Sequence, residues 1–248
     1  MKRKFLYVLL ALAVYGVFFL ATAPARVALP YLKRNLPTLV HITDVRGSVW
    51  SGHLSLLVQT MTGTKALSHV HFGFSVLSLL HGKLGYNLHF SGPLQGRMQV
   101  AFGSQSMDLF DLKLAARVAP LVAFMPEVQS FGPTGALQLT ASHLAWGPHL
   151  DGQGQLTWEQ AALVSAPVSP LGSYAAQFVL HDGTIRYQVH TLTGRLRVTG
   201  RGRYVVATGV VSFTGDVLGR GMRLGGLVQN VGAPDGHGGR TISFQMPI

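Results

Sequence analysis

Eleven histidines, nine carboxylates and no cysteine bound the chemistry open to this 248-residue chain. Without a thiol there is no thiolate zinc site, no iron–sulfur cluster, no cysteine nucleophile and no disulfide. His69 and His71 stand two apart and so share one face of a strand. A zinc site there would need a third and a fourth ligand, each oriented by a hydrogen bond of its own. The neighbouring sequence offers none at a predictable spacing, so the pair reads as histidines of a polar strand face. Asp108 and Asp111 are the one close acidic pair, and in a regular strand a spacing of three sends them to opposite faces. The chain has no phosphate-binding Walker A loop, no His-Glu-x-x-His and no Gly-x-Ser-x-Gly. Gly73-Phe74-Ser75-Val76-Leu77 lacks the closing glycine, and Gly219-x-Gly221 does not complete a dinucleotide fingerprint. These residues argue against an enzyme and imply no cofactor and no metal.

The densest charge pattern is cationic. In Arg195-Leu196-Arg197-Val198-Thr199-Gly200-Arg201-Gly202-Arg203-Tyr204, alternation puts Arg195, Arg197, Arg201 and Arg203 on one face, with Leu196, Val198 and Tyr204 on the other. Arg186, Arg220 and Arg223 could extend that row. Guanidinium suits bidentate capture of carboxylate or phosphate. The row therefore reads either as a contact for an acidic partner or lipid head groups, or as a solvated face whose charges blunt a sheet edge.

The elements that would carry these residues are strands. From Ile42 onward the period is two: Leu84, Tyr86, Leu88 and Phe90, then Met98, Val100 and Phe102, then Phe110, Leu112 and Leu114 each share a face. Leu137 and Leu139, Leu156 and Trp158, and Ile185, Tyr187 and Val189 follow, and Val205 to Phe213 and Ile242 to Met246 close the series. Glycine-rich turns between them predict a mainly β fold, an extended and curled antiparallel meander. Three segments read otherwise: Arg26 to Asn35 as a short helix limited by Pro30 and Pro37, Ala115 to Met125 as a short kinked helix, and Gly219 to Val231 as a glycine-weakened helical pattern.

Ahead of the strands, Lys2, Arg3 and Lys4 precede seventeen residues without a charge, Phe5 to Ala21. As a helix these reach roughly 25 Å, the short end of what crosses a bilayer of about 30 Å. The basic flank sets the N-terminus in the cytoplasm. Residues 1–23 thus read as a cytoplasmic tip and transmembrane anchor, and residues 24–248 as one exported β-rich domain. Ala21-Thr22-Ala23 also has the form of a signal-peptidase site, although Pro24 just after it hinders cleavage. Residues 24–248 hold 17 basic and 9 acidic side chains, a formal +8. An exported basic domain meets no nucleic acid; anionic lipid head groups, lipopolysaccharide and acidic proteins are its natural counterparts.

Several short motifs recur in a set order: Ala23-Pro24-Ala25-Arg26, then Val45-Arg46-Gly47-Ser48-Val49-Trp50-Ser51-Gly52, then Gly152 to Ala161 with Trp158, then Leu171-Gly172 with Tyr174, then Thr191 to Leu196. Together they resemble protein N of the bacterial type II (general) secretion pathway. The resemblance implies a single-pass inner-membrane protein of a Gram-negative cell with a periplasmic domain. It also implies a part in exporting folded proteins across the outer membrane beside other secretion-system proteins. It carries over no catalytic residues; Gly47, Trp50, Gly52 and Trp158 transfer as structural positions. In outline the chain also resembles the AsmA-like bridge proteins, which implies an alternative: a lipid-binding or lipid-transfer protein with an apolar β-groove.

Overall fold

A computed structural model describes residues 15, 22–28, 40–60, 63–80, 82–103, 105–122, 130–147, 150–164, 166, 168–219, 233–234 and 240–247. They form one open antiparallel sheet in which nearly every strand pairs with its neighbours in sequence. The strands are β1 (Val40–Gly47), β2 (Ser51–Thr60), β3 (Gly63–Ser75), β4 (Leu84–Ser91), β5 (Leu94–Phe102), β6 (Met107–Arg117), β7 (Pro133–Trp146), β8 (Asp151–Leu163), β9 (Gly172–His181), β10 (Thr184–Gly194), β11 (Leu196–Val205), β12 (Val210–Gly219), the two-residue β13 (Ala233–Pro234) and β14 (Arg240–Pro247). The last two exchange order at the far edge, so the sheet runs β12-β14-β13. A 3-10 turn, Ala25–Ala28, precedes β1, and two single turns of helix, α1 (Val76–Leu79) and α2 (Val118–Val122), join strands. The mainly β meander and its short helices agree with the sequence pattern.

The expected span Phe5 to Ala21 lies outside the described residues apart from Tyr15, as does most of Gly219 to Val231. Among the described residues no helix is long and apolar enough to cross a membrane.

Three sequence expectations are corrected. Ala115 to Arg117 continue β6, because Ala115 pairs with Gln138 and Ala116 with Leu137. The helix starts only at Val118, with Pro120 in its first turn, where a missing N–H is tolerated. Val205 to Phe213 is two strands: Thr208 and Gly209 turn the chain, with Gly209 at φ 64°, and β12 starts at Val210. Phe110 does not share a face with Leu112 and Leu114. Asp111 sits at φ 48°, and the register between β5 and β6 slips by one residue there, so Phe110 faces Gln99 while Lys113 faces Arg97.

That extra residue also defeats the parity argument for the acidic pair. Asp111 borders the same shallow depression as Lys113 and Thr140, on the polar face, where Asp108 also lies opposite Ala101 and Ala145.

Register turns local alternation into two unlike faces. On the polar face one cross-strand row is unbroken from β1 to β12 and on to β14: Arg46, His53, His71, His89, Arg97, Lys113, Thr140, Gln155, Gln177, Gln188, Arg201, Thr214, Ser243. The opposite face is apolar, and its aromatic rings lie over cross-strand glycines. A Cβ on Gly154 would lie 2.5 Å from the Phe178 ring, and one on Gly200 would lie 2.5 Å from Phe213. Glycine there gives each ring the area a second side chain would take.

Among the described elements, the main contacts beyond strand neighbours come from the short helices, from the 3-10 turn, and from strands two apart, β3 with β5 and β9 with β11. Among the described residues no second layer covers the apolar face. Leu156, Phe244 and Met246 accordingly stay 38%, 39% and 46% exposed.

Candidate functional site

Two features marked in the sequence, the glycine–tryptophan motif and the arginine row, sit in different settings. The motif is the β1–β2 turn. Gly47 and Gly52 pair across it, Gly47 at φ 99°, and Ser48 N–H donates to Ser51 O at 2.9 Å. A side chain at Gly47 would meet Ser51 O at 2.4 Å. One at Gly52 would meet Arg46 O at 2.2 Å and the Phe72 ring at 2.7 Å. The half-buried Trp50 ring meets Phe74 edge-on, centroids 4.8 Å apart, and Phe74 N–H donates to Trp50 O at 2.7 Å.

The segment that follows the apolar stretch is laced onto this turn. Val49 N–H donates to Ala23 O at 2.9 Å, Pro24 bridges Ser48, and Arg26 Nε donates to Val45 O at 3.3 Å. Ala25 is buried against Ile42 and Val45, with Leu54, Leu56 and Phe72 around them. Residues 22–28 are thus a strap, and the motif is its seat. The bond between Ala23 and Pro24 lies inside that seat.

Trp158 on β8 donates from Nε1 to Thr134 O at 3.0 Å and lies over Gly135. Beside it Tyr174 donates its hydroxyl to Leu196 O at 3.0 Å, and burial pushes that phenol up to about 12.

The arginines are held differently. Arg197, Arg201 and Arg203 alternate on β11 with half-buried Val198, Gly200, Gly202 and Tyr204. Arg195 precedes the strand in the turn after β10 and is also exposed. Arg186 on β10 does extend the patch, directly opposite Arg203; Arg220 and Arg223 lie outside the described residues. Arg186, Arg201 and Arg203 border a shallow depression of about 720 Å³ with Gln177, Gln188 and Thr214. None of these guanidiniums has a hydrogen-bond or ion-pair partner among the described residues. Because β11 is paired along its length to β10 and β12, the row does not blunt a sheet edge.

Sequence reading missed two groupings. One is the cationic start of the polar row, Arg46-His53-His71-His89-Arg97-Lys113, whose members come from six strands and which no local spacing reveals. Arg46 is tied to Asp44 at 2.7 Å, but the other five have no side-chain partner among the described residues. No metal-binding group of three or more ligands occurs among the described residues.

The other is Asp108, the one buried carboxylate among the described residues, held by Lys83 and, at 3.2 Å, by His143 Nε2. Burial alone would raise its carboxyl. The hydrogen bonds and charges of Lys83 and His143 outweigh that, and the net shift is downward. With Asp108 held from two sides and His143 stacked on Phe110, this is an internal tie between β6, β7 and the residue before β4.

The glycine–tryptophan turn and nearly all of the paired strands fall within the match to a known family. Residues 38–243 fit the model of type II secretion system (T2SS), protein N. The chain belongs to that family. The match takes in the Gly47–Gly52 turn, Trp158 and the whole of β11, and starts beyond the strap. Membership of the protein N family ties the chain to type II secretion, and so to the other proteins of that system. No curated protein and no solved structure matches the chain.

Proposed function

We propose that the chain is a non-enzymatic inner-membrane component of the type II secretion pathway that takes part in exporting folded proteins across the outer membrane. Phe5 to Ala21 cross the membrane once, the N-terminus is cytoplasmic, and residues 24–248 stand in the periplasm. The observation that carries this, beyond family membership, is the strap. The Val49 N–H to Ala23 O bond and the Pro24–Ser48 bridge fix the sheet two to three residues beyond Ala21, where the apolar stretch ends. Rigid coupling of that kind suits an uncut anchor, because removal of residues 1–23 would take Ala23 out of the seat. The unpaired cations of the polar face support a contact with acidic partner proteins.

Deleting the gene should stop exoprotein release. The wild-type chain, but not one with the apolar stretch replaced by a cleavable signal, should restore it. Full export from the cleaved form would defeat the tethered reading.

One observation favours a second reading, lipid handling: among the described residues nothing covers the apolar face. We also infer that the sheet is curled, since β3 and β5, and β9 and β11, approach within 8 Å where flat neighbours two apart stand about 9.6 Å apart. Lipid co-purifying in near-equal amount with the protein would decide for this reading.

A further inference from the structure

We infer that the end of the sheet that carries the strap is also an apolar rim that inserts into the bilayer interface, so that the domain touches lipid at a second place besides its anchor. Strand direction alternates, so the connections after β1, β3, β5 and β7 all lie at one end, the end where Ala23 and Pro24 dock on Val49 and Ser48.

Connections at a sheet end are ordinarily polar. Here the β3–β4 connection presents Val76, Leu77, Leu79 and Leu80 at 69%, 72%, 48% and 80% exposure, and Leu84 just after it is 53% exposed. The apolar line continues across strands as Leu84 opposite Phe102, Phe102 opposite Met107 and Met107 opposite Trp146, the last 56% exposed. At its other end it joins the strap through Trp50 and Phe74. From β1 to β7 the rim is about 29 Å long at 4.8 Å per strand. Among the described residues the opposite end exposes Phe131 and Val164, with Leu192 near it on β10, and these are not joined by a cross-strand apolar line.

A row of exposed aliphatic side chains marks a contact surface of some kind. Position selects lipid over protein. The rim starts beside the strap, two to three residues after the apolar stretch ends at Ala21, and an indole stands near each end of it, which suits the boundary between hydrocarbon and water. The inference rests on the anchor reading for the orientation of the rim, and the test separates the two.

The chain has no cysteine, so single cysteines can be placed and labelled with an environment-sensitive fluorophore in the full-length protein, reconstituted in vesicles of zwitterionic and anionic phospholipid. Leu77→Cys and Leu80→Cys report on the rim, Val164→Cys on the opposite end and Tyr15→Cys on the anchor. The expected result is a blue-shifted emission at Leu77 and Leu80, with about half of it lost when shallow doxyl-labelled lipid is added, and no change at Val164. Labels at Leu77 and Leu80 that behave like the one at Val164 overturn the inference, whatever Tyr15 shows. If Tyr15 is then quenched, the anchor stands without the rim. Quenching at Leu77 and Leu80 together with a Tyr15 label that neither shallow nor deep doxyl-labelled lipid quenches supports the rim and overturns the anchor.

Discussion

The β1–β2 turn and strand β11 were both conspicuous in the sequence, and the structure treats them in opposite ways. At the turn every distinctive residue is engaged: two glycines have no room for a Cβ, Trp50 packs on Phe74, and the strap closes over the motif. On β11 the apolar alternate residues hold the strand in place, while Arg197, Arg201 and Arg203 point into solvent without partners among the described residues. A glycine–aromatic motif here reports packing geometry, whereas an arginine row reports charge left available. The two should therefore separate under mutation, one failing in stability and the other in binding.

The largest effect is expected at Gly52. A methyl group there would stand 2.2 Å from Arg46 O, a main-chain atom that cannot swing aside. Gly52→Ala should cost about 3 kcal/mol or more, read by chemical denaturation. A cost under about 1 kcal/mol would mean that the turn adjusts freely and the contrast with β11 is weaker than drawn.

Trp50→Ala comes next. Full burial of the indole would make truncation cost about 3–5 kcal/mol, but the ring is only half-buried, so about 2 kcal/mol is expected. If Trp50→Ala keeps wild-type stability and still abolishes export, the turn is an interface and belongs with β11.

How much of this was legible follows from the range over which each signal acts. Period two is local, so the meander and most strand faces were readable residue by residue. Two failures came from single residues that break the period without announcing it: Asp111 at φ 48° reversed the face of Phe110, and Gly209 at φ 64° split one expected strand into two. The cationic row from Arg46 to Lys113 was invisible for another reason. His53, His71 and His89 are eighteen apart, and only the register across β2, β3 and β4 aligns them. The strap was half legible. Ala23-Pro24-Ala25-Arg26 stood out as a motif, but its seat on Ser48 and Val49 is a tertiary contact.

Asp108 tests whether a charge can be spent structurally, as the turn's residues are. Its pKa is lowered in the folded protein, so its contribution is complete above the ordinary carboxylate value of about 3.9 and is lost as pH falls through the lower folded value. Lys83 and His143 are partly exposed, which screens the tie, so Asp108→Asn should cost about 1 kcal/mol near neutral pH. The stabilities of variant and wild type should converge as the pH drops below about 4. A difference that persists unchanged at low pH would mean that the side chain matters for its shape and not its charge.

The smallest effect on stability is expected on β11. Replacing Arg197, Arg201 and Arg203 together by Ser removes no hydrogen bond or ion pair found among the described residues, and the midpoint should move by no more than about 0.5 kcal/mol. The sign is informative. Arg203 lies directly opposite Arg186, and like charges so placed repel, so relieving them should leave the protein level or slightly more stable. Asp216 faces Thr199 in the middle of the row and accepts from Thr241 at 2.8 Å, and among the described residues it forms no ion pair that would offset that repulsion. A row kept at some cost to the fold needs its compensation elsewhere, and an acidic surface docked on it would supply that compensation. The serine variant should then lose export or partner capture while melting like wild type. Loss of stability with no loss of capture would instead make the arginines part of the fold, and the distinction from the β1–β2 turn would collapse.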